Sequence, residues 1–250
     1  MIADESHEHA IEEENYFVSM TDMMVGLVFI FIILLMYYAL QFRQVTDELT
    51  GADATRAEIL TQLQISLQRQ GMTDVQIDTQ NGVLRLPDSI LFDSGNDQLK
   101  PEGQLSIAKL SVALEEVLPC YTRRAETTAR PAHCEANEHA IESVYIEGHT
   151  DADNYSRGGR DNWDLSVVRA TNTYRALVGA RPDLSGLCAT KGDRCEPVLS
   201  VSGYGPQRPV DPGDSIEAKA KNRRIDLRII MVTPDSGQTV RRVEQALQAS

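Results

Sequence analysis

Asp22 is the one acid inside the longest apolar run of the chain, NYFVSMTDMMVGLVFIFIILLMYYALQF at residues 15–42. From Met23 to Leu40 there are eighteen residues without a charge. A helix of roughly 20 such residues crosses a hydrocarbon core of about 30 Å. A carboxylate at a helix centre costs about 2.5 to 3.5 kcal/mol there, so it is usually paired, wetted or protonated. Ser19, Asp22 and Gly26 fall at i, i+3 and i+7 and share one small, polar stripe suited to packing against another protein, with Thr21 beside it. An acid that takes a proton from one side of a membrane and releases it to the other could couple ion flow to motion. The alternative is that Thr21 or Asp22 caps the helix at the interface. Tyr16 and Phe17 extend the apolar segment ahead of Asp22 and favour an immersed acid.

The other chemistry-bearing residues are four cysteines, Cys120, Cys134, Cys188 and Cys195. Four cysteines permit three connectivities, of which the local pairs 120 with 134 and 188 with 195 each close a short loop. Neither pair has CxxC spacing, and although His133 and His139 lie near Cys134, no metal or other cofactor is expected. No Ser/His/Asp constellation stands at informative spacing, so a wall hydrolase or other enzyme is not expected.

Around these residues the chain divides into an acidic cytoplasmic tail at 1–15, the membrane segment at 16–42, a juxtamembrane amphipathic helix at 43–72, a globular domain at 73–233 and a polar tail at 234–250. Leu49, Ile59, Leu60, Leu63 and Leu67 recur at helical spacing up to Gly71, with a loosening expected near Gly51. Val75 and Ile77, then Asn81-Gly82, then Val83 to Leu86 predict a hairpin. Helices follow at Pro101–Leu118, Asp164–Val178 and Ile216–Lys221, alternating with strands at Ser143–Glu147, Val198–Ser202 and around Ile225, Leu227 and Ile229. The formal net charge of −13 excludes non-specific nucleic-acid binding, which needs cations to displace counterions. No basic n-region or cleavage site flanks the apolar run, so it should persist as an anchor. Arg43 alone would place the carboxyl side in the cytoplasm. Disulfides argue instead for an oxidising compartment such as a periplasm, so the expected arrangement is a single-pass chain with its amino terminus cytoplasmic and its domain outside.

Three segments carry a resemblance. DSILFDSGNDQLKPEG at 88–103, EGHTD at 147–151 with NWDLSVVRA at 162–170, and GYGPQRPV at 203–210 with KNRRIDL at 221–227 resemble the OmpA carboxy-terminal peptidoglycan-binding domain. The resemblance implies an α+β fold, a βαβαβ-type sandwich with helices over one mixed sheet. It implies that Asp151 and Arg169 bind the zwitterionic end of diaminopimelate in the wall peptide, the carboxylate taking the ammonium and the guanidinium forking onto the carboxylate. Thr150, Ser166, Arg223 and Arg224 are candidate supporting residues, and His149 reads as a satisfied strand-end histidine. Both Asp151 and Arg169 are expected at the surface.

An amino-terminal helix bearing one Asp, joined to such a domain, is similar to the MotB family of ion-driven stator subunits. The acidic tail, the missing flexible linker and the run TDMMVGLVFIFIILLM make it more similar to the MotB-like ZorB subunits of Zorya anti-phage defence systems. What these likenesses imply is a bacterial inner-membrane homodimer inside a ring, a pentamer, of a multi-spanning MotA- or ZorA-like partner, with Asp22 carrying the proton and the periplasmic domain gripping peptidoglycan. A passive inner-membrane wall tether and a flagellar-type stator subunit are the alternatives.

Overall fold

The computed structural model describes residues 5–124, 131–134, 139–189 and 194–233, with side chains from residue 20 onward except those of Glu48 and Arg124. The chain forms two compact units, Met1–Leu49 and Thr50–Ser250. Residues 1–4, the tail at 234–250 and the side chain of Ser19 fall outside the described residues.

Helix α1 (Glu5–Arg69) supplies the first unit. It holds an 18-residue window of mean hydropathy 2.6, and its described side chains up to Leu49 are exposed. This is the one helix among the described residues long and apolar enough to cross a membrane.

The second unit begins inside the same helix. Ala52, Ile59, Leu60, Leu63 and Leu67, at i, i+7, i+8, i+11 and i+15, are all buried in the domain core. The amphipathic stripe read as juxtamembrane is therefore a core element, and each fully buried leucine contributes about 1.5 to 3 kcal/mol. Ser66 Oγ donates to Glu116 Oε2 at 2.7 Å, and Arg69 pairs with Glu116 Oε1 at 3.2 Å. The helix runs unbroken through Gly51, where a loosening was expected. The glycine serves close approach instead: the His139 ring lies where a Cβ would stand.

The core of the unit is a five-stranded sheet in the order β1 (Gln76–Asp78), β2 (Val83–Pro87), β7 (Arg224–Met231), β4 (Ile141–His149), β6 (Leu199–Gly203). All neighbours are antiparallel except β4 and β6, so the sheet is mixed. Asp78 closes the β1–β2 turn by accepting from the Asn81 backbone N and Nδ2. Between these strands come α2 (Asp88–Leu91), α3 (Pro101–Val117), α4 (Asn162–Ala180) and α5 (Ile216–Asn222). Two-residue strands β3 (Arg123–Arg124) and β5 (Leu187–Cys188) pair separately. The disulfides are Cys120–Cys134 and Cys188–Cys195, the local pairs.

Strand periodicity sorts the side chains. Leu84, Leu86, Val144, Ile146, Ile225, Leu227 and Ile229 face the helices in the core. Helix α4 reaches β4 so closely that a Cβ on Gly148 would collide with the Ser166 carbonyl oxygen, which fixes glycine there.

The opposite face carries Arg85, Tyr145, Glu147, His149, Arg224, Asp226 and Arg228, and much of it is buried. Arg228 grips Glu147 with two bonds, Nε to Oε1 at 2.9 Å and Nη2 to Oε2 at 3.0 Å. Asp226 takes Arg85 at 3.1 Å and Arg224 at 2.9 Å. His149 corrects an expectation. It is buried, stacked on Tyr204 with ring centroids 5.3 Å apart, and neither ring nitrogen finds a hydrogen-bond partner. Its Nε2 lies 3.8 Å from Glu147 and 3.7 Å from Asp226. Burial opposes ionisation of Glu147, but the adjacent His149 ring and the two-pronged Arg228 more than offset it, and the carboxyl is brought down to about 2.

Candidate functional site

The carboxyl end of β4, the amino end of β7 and the first turns of α4 converge on a pocket of about 200 Å³. Asp151 follows β4 and Arg223 precedes β7, so neighbouring strands deliver them side by side. Arg223 Nη1 donates to Asp151 Oδ2 at 2.5 Å, with the Asp151 side chain 12% and the Arg223 side chain 33% exposed. Helix α4 supplies Asn162, Leu165 and Arg169 at i, i+3 and i+7, one face of a helix. Its start is set by Asp161, whose carboxylate accepts from Trp163 N and Asp164 N while Asp164 returns the bond to Asp161 N. This capping box fixes the turn that aims the face.

Arg169 departs most from expectation. Only 2% exposed, it is a buried residue that lines the pocket. Nε donates to Asn96 O at 2.8 Å, Nη2 to Asp93 O at 3.2 Å, and Nη1 pairs with Asp88 Oδ1 at 3.0 Å. The guanidinium also lies over the Phe92 ring, 5.0 Å from its centroid. Three of its five N–H groups are thus occupied by described residues, leaving among those residues one without a partner on each terminal nitrogen. Burial lowers the pKa of Arg169, and burial pushes the Asp88 carboxyl up to about 6 despite that guanidinium.

The supporting residues divide. Thr150 is buried at the pocket, its N–H bonded to Gly205 O at 2.9 Å. Ser166 Oγ donates to Trp163 O and accepts from Gly205 N at 3.0 Å, so it holds the loop after β6 without entering the pocket lining. Arg223 reaches the pocket. Arg224 does not: strand alternation turns it into the charged sheet face, where it pairs with Asp226. The pocket also recruits Ser94, Gly95, Asp153, Asn154 and Tyr155, none of them singled out from sequence. Asn162 Nδ2 bonded to Asp153 O at 2.8 Å and Lys219 paired with Asp153 at 2.7 Å tether the loop after Asp151.

In the first unit, Asp22 and Thr21 sit on α1 with exposed side chains. At the disulfide loop, Cys120, Cys134 and His133 come within ligand distance of one another, but both sulfurs are consumed in their own bond. Glu147, His149 and Asp226 also gather, and there the acids are already matched by arginines.

This arrangement offers two carboxylates, Asp151 and the Lys219-paired Asp153, and two guanidiniums to a ligand carrying both charges. The OmpA family matches residues 91–223. Motility protein B of Bacillus subtilis is 29% identical over 61% of the chain and 46% of its own length. Zorya protein ZorB of Escherichia coli strain ATCC 8739 is 23% identical over 88% of the chain and 89% of its own. The chain thus spans about half the length of the motility protein and nearly all of ZorB. A MotB-like protein from Desulfovibrio vulgaris shares the fold, with a TM-score of 0.50 at 21% identity over 73% of this chain and 93% of that one.

Proposed function

The chain belongs to the OmpA family, and from that premise we propose that it is a non-enzymatic stator-type subunit of a proton-driven inner-membrane motor, serving anti-phage defence. In this reading Asp22 is the ion-carrying carboxylate, with Ser19 and Thr21 in support. Two copies stand inside a pentamer of a multi-spanning MotA- or ZorA-like partner, and the periplasmic domain anchors them to peptidoglycan through Asp151, Arg169 and Arg223. The observation that carries the reading is one chain joining an apolar segment that holds a single acid to a pocket lined by Asp151, Arg169 and Arg223, along nearly the whole length of ZorB. A motor needs both parts, because torque on a rotor requires a stationary axle.

The passive tether needs only the pocket, so Asp22→Asn separates the two. Asparagine keeps the size and capping ability of the side chain but cannot ionise. In cells carrying the chain with its genomic neighbours, Asp22→Asn should abolish protection in a phage plaque assay while leaving wall binding intact. Full protection by that variant would reduce the protein to a tether.

A further inference from the structure

Asp88 is absent from the pocket lining, yet it holds the guanidinium on which a wall carboxylate would land. It lies at the start of α2, 4% exposed, its backbone N–H bonded to Arg223 O at 3.1 Å and its carboxylate 3.0 Å from Arg169 Nη1. The charges facing it are Arg169 from α4, Arg223 from the junction of α5 and β7, and Asp151 from the end of β4. Tyr155 adds its hydroxyl on the Arg169 side. With Asp151 committed to Arg223 at 2.5 Å, the two guanidiniums already have one acid each, Asp88 on Arg169 and Asp151 on Arg223, before any ligand arrives.

We propose that Asp88 is a positioning residue that makes peptidoglycan binding proton-linked: when the carboxylate of a zwitterionic wall peptide takes the two free N–H groups of Arg169, Asp88 accepts one proton from solvent. The inference rests on the wall-binding reading of the pocket. Its physical basis is that one guanidinium, shut away from water, would otherwise serve two carboxylates, and buried like charges disfavour joint ionisation. Asp88 is the member that yields, because burial already pushes its carboxyl up to about 6 while it has Arg169 to itself. A second anion on Arg169 raises it further. The ligand's carboxylate stays ionised and its ammonium remains with Asp151, so the proton is the only species exchanged with solvent. The sign follows: binding takes up a proton, and affinity rises as pH falls from 7.5 towards 5.5. A bound-state value about one unit above the free one gives roughly a sixfold gain over that range.

The test is calorimetric titration of the full chain in detergent with the tripeptide L-Ala-γ-D-Glu-meso-diaminopimelate, at one pH near 7 in buffers of differing ionisation enthalpy, repeated across pH 5.5 to 8. The expected result is uptake of up to one proton per site in the wild type and none in Asp88→Asn, whose affinity is flat with pH. The carbon-13 shift of the Asp88 carboxyl in the wild type, titrated with and without tripeptide, gives the same answer without a substitution. Its midpoint should move up on binding. Binding without proton uptake, an unmoved midpoint, or uptake that persists in a folded Asp88→Asn overturns the proposal while leaving the wall reading standing. No binding of the tripeptide at any pH removes both.

Discussion

Asp151 and Arg169 look like a matched pair in sequence, but the structure gives them different work. Asp151 holds the more exposed Arg223, and removing it leaves that guanidinium to water. Hydrogen bonds to charged groups are worth about 1.5 to 3 kcal/mol, so Asp151→Ala should weaken tripeptide binding about tenfold to a hundredfold with little change in the urea midpoint. Arg169→Ala leaves Asp88 buried and unpaired, and breaking a buried pair costs about 3 to 5 kcal/mol. That variant should lose stability as well as binding, which parallel urea unfolding and calorimetry would separate. Glu147 supplies a pH dependence of its own. Its folded value of about 2 lies below the ordinary 4.5, so its stabilisation is complete above 4.5 and is lost as pH falls towards 2. The loss amounts to about 3 kcal/mol, and Glu147→Gln should remove that part of the acid-unfolding slope followed by circular dichroism.

At the scale of elements, α1 makes the sharpest demand. Four large side chains from residues 59–67 are fully buried, so a chain started at residue 73 would expose the surfaces they cover. A fragment starting at Thr50 should give a cooperative urea transition and one starting at residue 73 should not. Leu63→Ala in the longer fragment should lower stability by about 2 to 5 kcal/mol. The long helices and strands of the domain were legible because each repeats its apolar period often enough to declare itself, as Leu110, Ala113 and Leu114 do in α3. The four-residue α2 and the paired strands β3 and β5 are too short to show a period. Arg169 was legible as a ligand-binding residue only through its motif, and its burial was hidden because arginine is a surface residue by default and Asp88 is distant in sequence. The alternation of Tyr145, Glu147 and His149 with apolar neighbours reads as a wet face of a half-exposed sheet. Glu147 and His149 are instead buried, Glu147 is matched by Arg228 from β7, and the neighbouring Asp226 is matched by Arg85 from β2 and Arg224 from β7.

At the scale of the whole molecule, the two disulfides decide where the chain can mature. Each removes freedom from the unfolded chain, about 3 kcal/mol for a loop near 15 residues, and the larger pair has a separation of 14. An oxidising compartment is therefore part of the proposed topology. All four cysteines are spent in these bonds and no free cysteine remains. The consequence is an unmarked background: any single cysteine introduced into the membrane half is the sole reactive thiol of the oxidised protein. Gln44→Cys, just past the apolar run, should be tagged in intact cells by a maleimide that cannot cross the inner membrane, once the outer membrane is made permeable. A cysteine in place of Glu5 should react only after the inner membrane is opened, and the reverse pattern would invert the topology. Gly26→Cys, one turn from Asp22 on the small-residue stripe, should join two chains under mild oxidation if they stand side by side. The two staples thus leave the unit at residues 1–49 ready to be mapped one position at a time.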